Sequence, residues 1–214
     1  MKKIMFNDKY GLTLAVMKCD KTMTRRAVTD KNAIYTLDEQ EFMGQMAVDY
    51  SFCDRYSRYK LGEEVAVAQS YETIANSGYL DTMTTPADNA VGFEFKPEYC
   101  GAGWDNKMFV KAELMPLRIR IKDIKVERLQ DISHADCLRE GIIDERTPVL
   151  YPCGNHVYTF EGNNGGSWYG SIQGYMTAKT AFANLIDKVS GKGTWDSNPW
   201  VFAYTFELLK GDEK

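Results

Sequence analysis

Histidine and cysteine are scarce here: two histidines, His134 and His156, and five cysteines, Cys19, Cys53, Cys100, Cys137 and Cys153, in 214 residues. The cysteines are odd in number and form no Cys-x-x-Cys pair. That argues against a disulfide framework and a zinc site, and for a reducing compartment, so the expected location is cytoplasmic. No metal centre and no cofactor are expected. Long apolar runs are missing too. The longest, around Leu12 to Met17, is broken by Thr13 and falls short of the roughly 18 residues of a membrane helix, so no membrane partner is expected. The opening Met1-Lys2-Lys3-Ile4-Met5-Phe6-Asn7-Asp8 meets charge again before a signal-like apolar core develops, which argues against secretion. Nor is there a strong excess of positive charge. Twenty-six basic residues against 30 acidic ones give a net charge of −4, unlike a dedicated, high-affinity nucleic-acid binder.

What is present is the balance of a globular protein, 44% hydrophobic and 26% charged, long enough for one ample domain. Residues 1–214 read as a single domain with loop insertions near 73–104 and 143–174. The basic residues are unevenly spread. Lys18, Lys21, Arg25 and Arg26 cluster against Asp20, and Lys107, Lys111, Arg118, Arg120, Lys122, Lys125 and Arg128 form a second basic segment. If these meet in space they make a positive patch on an acidic body; otherwise they are two solvated faces.

Asn7 or Asp8 is placed to cap a first helix through Lys18, and Thr36-Leu37-Asp38-Glu39 has capping-box spacing before a helix with Phe42, Met43, Met46 and Ala47 on one side. A turn at Lys60 to Glu63 feeds a strand from Glu64 to Ser70. A second strand, Arg118 to Leu129, shifts its apolar phase after Asp123, which predicts a bulge. Ser133 and Asp136 cap a short helix to Glu140, stopped by Gly141. A helix from about Thr177 to Val189 ends at Gly191, and Trp200 to Leu208 alternates as a half-buried strand. Strands interleaved with short helices predict an α+β fold with a strongly bent mixed sheet or small barrel.

The segment Cys19-Asp20-Lys21-Thr22-Met23-Thr24-Arg25-Arg26 resembles the signature of the ASCH family, Gly-x-Lys-x-x-Thr/Glu-x-Arg, with Cys19 standing where the family has Gly. The likeness recurs in order at Lys60-Leu61-Gly62-Glu63-Glu64-Val65, at Val126 to Ile132 with Glu140-Gly141-Ile142, and at Trp195 through Val201, as in phage and prophage members. The resemblance implies a PUA-like small β-barrel with flanking helices and a cleft that recognises RNA or a modified nucleoside. One bacterial branch hydrolyses the amide of N-acetylcytidine with a Lys, a Thr and a Glu, which fall on Lys21, Thr24 and Glu140. Many relatives have Val-Arg-Glu-Thr-Trp where this chain has Val67-Ala68-Gln69-Ser70-Tyr71, so an Arg and a carboxylate are lost while hydrogen bonding and a stacking face remain.

Read alone, Lys21 is a solvated lysine and Glu140 an exposed last-turn residue, since charged side chains mostly face water. Read as a site, Lys21 in a cleft beside Arg25 or Arg26 has a lowered pKa, Thr24 offers a hydroxyl and Glu140 moves a proton. Two functions follow, the binding module preferred and the enzyme its alternative. One is a binding module for RNA or a small nucleoside-like ligand, using Lys21, Arg26, Gln69, Ser70, Tyr71 and Arg118. The other is an amidohydrolase or ribonuclease using Lys21, Thr24 and Glu140. Tyr10, Trp168, Tyr169 and Trp195 are candidate stacking platforms. His134 reads as exposed, His156 as a loop residue without a partner, and Cys19 as a small buried hydrophobe.

Overall fold

The computed structural model describes residues 1–44, 50–76, 102–151 and 154–209. In chain order its elements are β1 (Lys2–Ile4), α1 (Leu12–Met17), β2 (Met23–Ala27), α2 (Lys31–Phe42), α3 (Tyr50–Tyr56), β3 (Glu64–Val67), α4 (Tyr71–Asn76), β4 (Arg118–Arg128), α5 (His134–Arg139), β5 (Ile143–Tyr151), β6 (Gly154–Thr159), β7 (Ser167–Tyr169), β8 (Ile172–Gly174), α6 (Ala178–Ser190), α7 (Thr194–Ser197) and β9 (Trp200–Leu209), with short 3-10 turns between. The architecture is α+β. Its main sheet is five-stranded and mixed, in the order β1-β3-β4-β9-β2, with β1 parallel to β3 and the β3–β4 and β2–β9 ladders antiparallel. Among the described residues this sheet is open: β1 and β2 are edges with no ladder between them, so the closed barrel of the sequence reading is not formed.

Two compact units divide the chain. One comprises Met1–Phe6, Glu64–Arg120 and Leu208–Lys214; the other comprises Asn7–Glu63 and Ile121–Glu207. In the first, Ala66, Ala68, Tyr71, Ile74, Val110, Ala112 and Met115 form the core. The Tyr71 hydroxyl accepts the Lys111 N–H at 2.9 Å, and Ser70 caps α4 by accepting the Thr73 N–H at 3.1 Å.

In the second unit the ladder pairs Met23 with Thr205, Thr24 with Tyr204, Arg25 with Ala203 and Arg26 with Phe202. Trp200 to Tyr204 are all buried, so β9 is covered on both faces rather than half-buried. On one face Tyr204 meets Tyr59 and Phe202 meets Phe52 of α3; on the other, Arg139 at the end of α5 donates to the Thr205 hydroxyl. Thr177 caps α6, which buries Ala178, Ala181, Phe182 and Leu185. Burial of Phe182 and Leu185 contributes on the order of 1.5–3 kcal/mol each.

Several expectations need correction. The helix assigned to Thr36 onward starts at Lys31, because the Asp30 carboxylate accepts the N–H groups of both Asn32 and Ala33; Thr36 instead bonds back to the Asn32 carbonyl in mid-helix. The inward residues of α2 are Ala33 and Leu37, while Phe42 and Met43 are exposed. Met46 and Ala47 lie outside the described residues. The 143–174 segment is not a loop insertion: its residues pair as β5–β6 and β7–β8, with Tyr158 bridged to Tyr175. His156, on β6, has a partner in Asp144 at 2.8 Å. Cys19 is not buried but exposed, and it carries φ 62, a left-handed conformation that a glycine adopts freely and a side chain only with strain. Of the 73–104 segment, α4 carries the start, and residues 77–101 lie outside the described residues.

Candidate functional site

The site lies entirely in the second unit and begins where α1 ends. With Cys19 in the left-handed region, the N–H groups of Cys19, Asp20 and Lys21 turn back onto the carbonyls of Val16 and Ala15, and the Thr22 N–H reaches the Arg139 carbonyl. Lys21 is thereby delivered to the end of α5. That helix starts at the Ser133 cap, which accepts the Asp136 N–H at 3.1 Å, and stops at Gly141 with φ 101. A Cβ at Gly141 would stand 3.3 Å from Leu12 and 3.8 Å from the Lys21 side chain. The tighter of these contacts is with Leu12, and 3.8 Å from Lys21 is ordinary packing, so the glycine is needed for its left-handed helix stop rather than for space beside the lysine.

Lys21 Nζ donates to Glu140 Oε2 at 2.6 Å and to the Glu140 carbonyl at 2.7 Å. Arg25 Nη1 donates to the other Glu140 oxygen at 3.1 Å, and the same guanidinium reaches Asp136 at 3.1 Å and Glu127 at 2.8 Å. Lys125 closes the cluster, 2.9 Å from Asp136 and 3.0 Å from Glu127. Lys21, Glu140 and Arg25 are 2%, 4% and 5% exposed, so neither Lys21 nor Glu140 is the solvated residue that composition alone implies. Their burial makes the ion pairs strong and mutually dependent.

Burial pulls the Lys21 ammonium below its usual pKa. The Glu140 carboxylate opposes that shift, and Arg26 and Arg25 reinforce it. Burial alone would lift the Asp136 carboxyl, but Lys125 and Arg25 outweigh it and hold Asp136 below the ordinary value. Burial likewise pushes the Cys137 thiol up to about 11, with Glu140 and Asp136 adding to it against Arg25, so this neighbour is no nucleophile.

The structure thus brings Lys21 and Glu140 into contact. Thr24 is buried, and the alternation of β2 sets it with Arg26 on the face of Tyr204, whereas Arg25 is on the other. Among the described residues the Thr24 hydroxyl makes no hydrogen bond to Lys21 or Glu140. Arg26 is half-buried; burial lowers its pKa, opposed by Tyr59 and Glu140 and reinforced by Arg58. Gln69, Ser70, Tyr71 and Arg118 belong to the first unit: Gln69 is buried with its N–H toward Met115 Sδ, Ser70 and Tyr71 serve the local bonds given above, and Arg118 is half-buried opposite Ala66. Of the aromatic candidates, Trp168 is exposed, Trp195 half-buried, and Tyr10 and Tyr169 buried.

Sequence reasoning assigned no site role to Asp136, Glu127 or Lys125. The available signal was the four-residue spacing of Asp136 and Glu140, which places both carboxylates on one face of α5. Among the described residues no group of His, Cys, Asp and Glu is arranged to hold a metal ion, and no helix is long and apolar enough to cross a membrane. Beside the pair, a cavity of about 410 Å³ is lined by Asp20 and Gly141, the chain neighbours of Lys21 and Glu140, and not by Lys21, Thr24, Arg26 or Glu140 themselves. No family model matches the chain, nor does any curated protein or solved structure.

Proposed function

We propose that the Lys21–Glu140 pair is the reactive centre of an amidohydrolase that removes an acyl group from a small nucleoside-like substrate, on an ASCH-type, PUA-like scaffold. The observation that carries this reading is the 2.6 Å contact between a lysine and a glutamate that are both withdrawn from solvent. A carboxylate against an ammonium with a lowered pKa is a matched proton acceptor and donor. Glu140 takes a proton from water as its oxygen adds to the acyl carbon. The Lys21 ammonium stabilises the resulting oxyanion and then protonates the leaving nitrogen, the C–N bond breaks, and Glu140 returns the proton to Lys21. Acid and amine products leave the pair as it began. Because the pair is closed in this state, turnover requires a local opening that admits water and the acyl group.

RNA binding through the same residues is less well supported. The charges of Lys21 and Arg25 are already matched by Glu140, Asp136 and Glu127, so they are poorly placed to neutralise phosphates. The test is incubation of the protein with N-acetylcytidine and with short RNAs, with product release and thermal shift followed together. Deacetylation by the wild type that falls by about 10²-fold or more in both Lys21→Met and Glu140→Gln is the expected result. A wild type that binds RNA and releases no product overturns it.

A further inference from the structure

Going beyond the hydrolytic reading, we propose that the cavity beside α1 is a binding site for a small organic cation, an ammonium carried on an apolar body. Its volume of about 410 Å³ suits a ligand of that size. Its apolar lining comes from Leu14 and Ala15 of α1, Leu138 of α5, and Ile142, with Tyr10 closing one side. Tyr10 and Ile142 are buried, so the cavity reaches the body of the unit, and desolvating an apolar ligand there is favourable.

The polar lining decides the charge of the occupant. Asp20, Asp144 and Glu161 face the cavity against a single cation, Lys18. Asp144 is engaged by His156 at 2.8 Å, but neither Asp20 nor Glu161 has an ion-pair partner among the described residues. Two further lysines stand close. Lys9 and Lys188 lie 5.7 Å and 6.0 Å from the Tyr10 ring centroid, and Lys188 is bonded to Asn164. Neither lines the cavity. A phosphate or carboxylate ligand would meet the three acidic side chains, and a neutral one would draw no attraction from them. An ammonium is attracted by them, while its hydrocarbon body covers Leu14 and Ile142.

The experiment titrates the full chain with phenethylammonium, 2-phenylethanol and 3-phenylpropionate, following backbone amide resonances of Leu14, Gly141 and Asp144. The ammonium should bind at these residues roughly tenfold more tightly than the alcohol, with the carboxylate weaker still. The double variant Asp20→Asn with Glu161→Gln, both exposed positions, should erase the preference while Leu14→Asn weakens ammonium and alcohol alike. Equal affinity for ammonium and alcohol, a preference that survives the double variant, or no shift at these amides with any probe would each overturn the site. None of these readouts depends on amide hydrolysis, so this site and the reaction stand or fall separately.

Discussion

Two charge clusters in the second unit use the same residue types and come to different ends. In one, Arg128 meets Asp38 at 3.0 Å and also Glu41, and lies 4.1 Å over the Trp200 ring. Asp38 and Glu41 are about half exposed, with side-chain values of 52% and 46%. In the other, Lys21 and Arg25 share Glu140 almost out of contact with water. The first cluster clips α2 to the end of β4, and solvent screens each of its pairs. The second holds Lys21 against Glu140 away from water, while Arg25 is held by Asp136 and Glu127 as well. Charges withdrawn from water interact through a lower effective dielectric, so the pairs of the second cluster are coupled more strongly than those of the first.

The sharpest test of that contrast is Glu140→Ala. It takes from buried Lys21 its carboxylate, while Arg25 keeps Asp136 and Glu127, and should lower unfolding stability by about 3–5 kcal/mol in denaturant titration. Lys21→Met should cost less, about 1–3 kcal/mol, because Glu140 keeps Arg25. Arg128→Gln should cost at most about 1 kcal/mol. If Arg128→Gln proved as damaging as Glu140→Ala, burial would not be what separates the clusters.

Acid should expose the same difference. The lowered Asp136 carboxyl contributes stability that is present above its unfolded value of 3.8 and lost as pH falls through its lower folded value. Thermal melts of Asp136→Asn should therefore lose part of the wild-type fall in stability below about pH 4, and an unchanged acid limb would remove Asp136 from the network. The smallest effect belongs to the turn that delivers Lys21. Cys19→Gly relieves left-handed strain but frees the unfolded chain, for a net change within about 1 kcal/mol, whereas β-branched Cys19→Val should destabilise in the same melt.

Local grammar was legible where one signal acted alone. Ser133 and Gly141 bound α5, Thr177 and Gly191 bound α6, and the phase slip at Asp123 reappears as consecutive exposed residues Lys122 and Asp123 between buried Ile121 and Ile124. It misled where signals competed: Thr36 has a capping box, but Asp30 lies upstream and satisfies two amides. Lys21 and Glu140 were reached through the motif and the end of a helix. The clamp by Arg25, Glu127 and Asp136 was not, because it depends on which face of β2 meets α5, a matter of long-range register that no local pattern encodes.

The pairing of β2 has a consequence for how the chain is made. Its ladder partner is β9, and Lys21 finds its carboxylate 119 positions downstream. Loops of that size close late, so β2 waits unpaired until nearly the whole second unit has been synthesised. A waiting strand is an invitation to other nascent chains. Arg25 and Arg26, adjacent on that strand, place positive charge on both of its faces and so repel a second copy before the proper neighbour arrives.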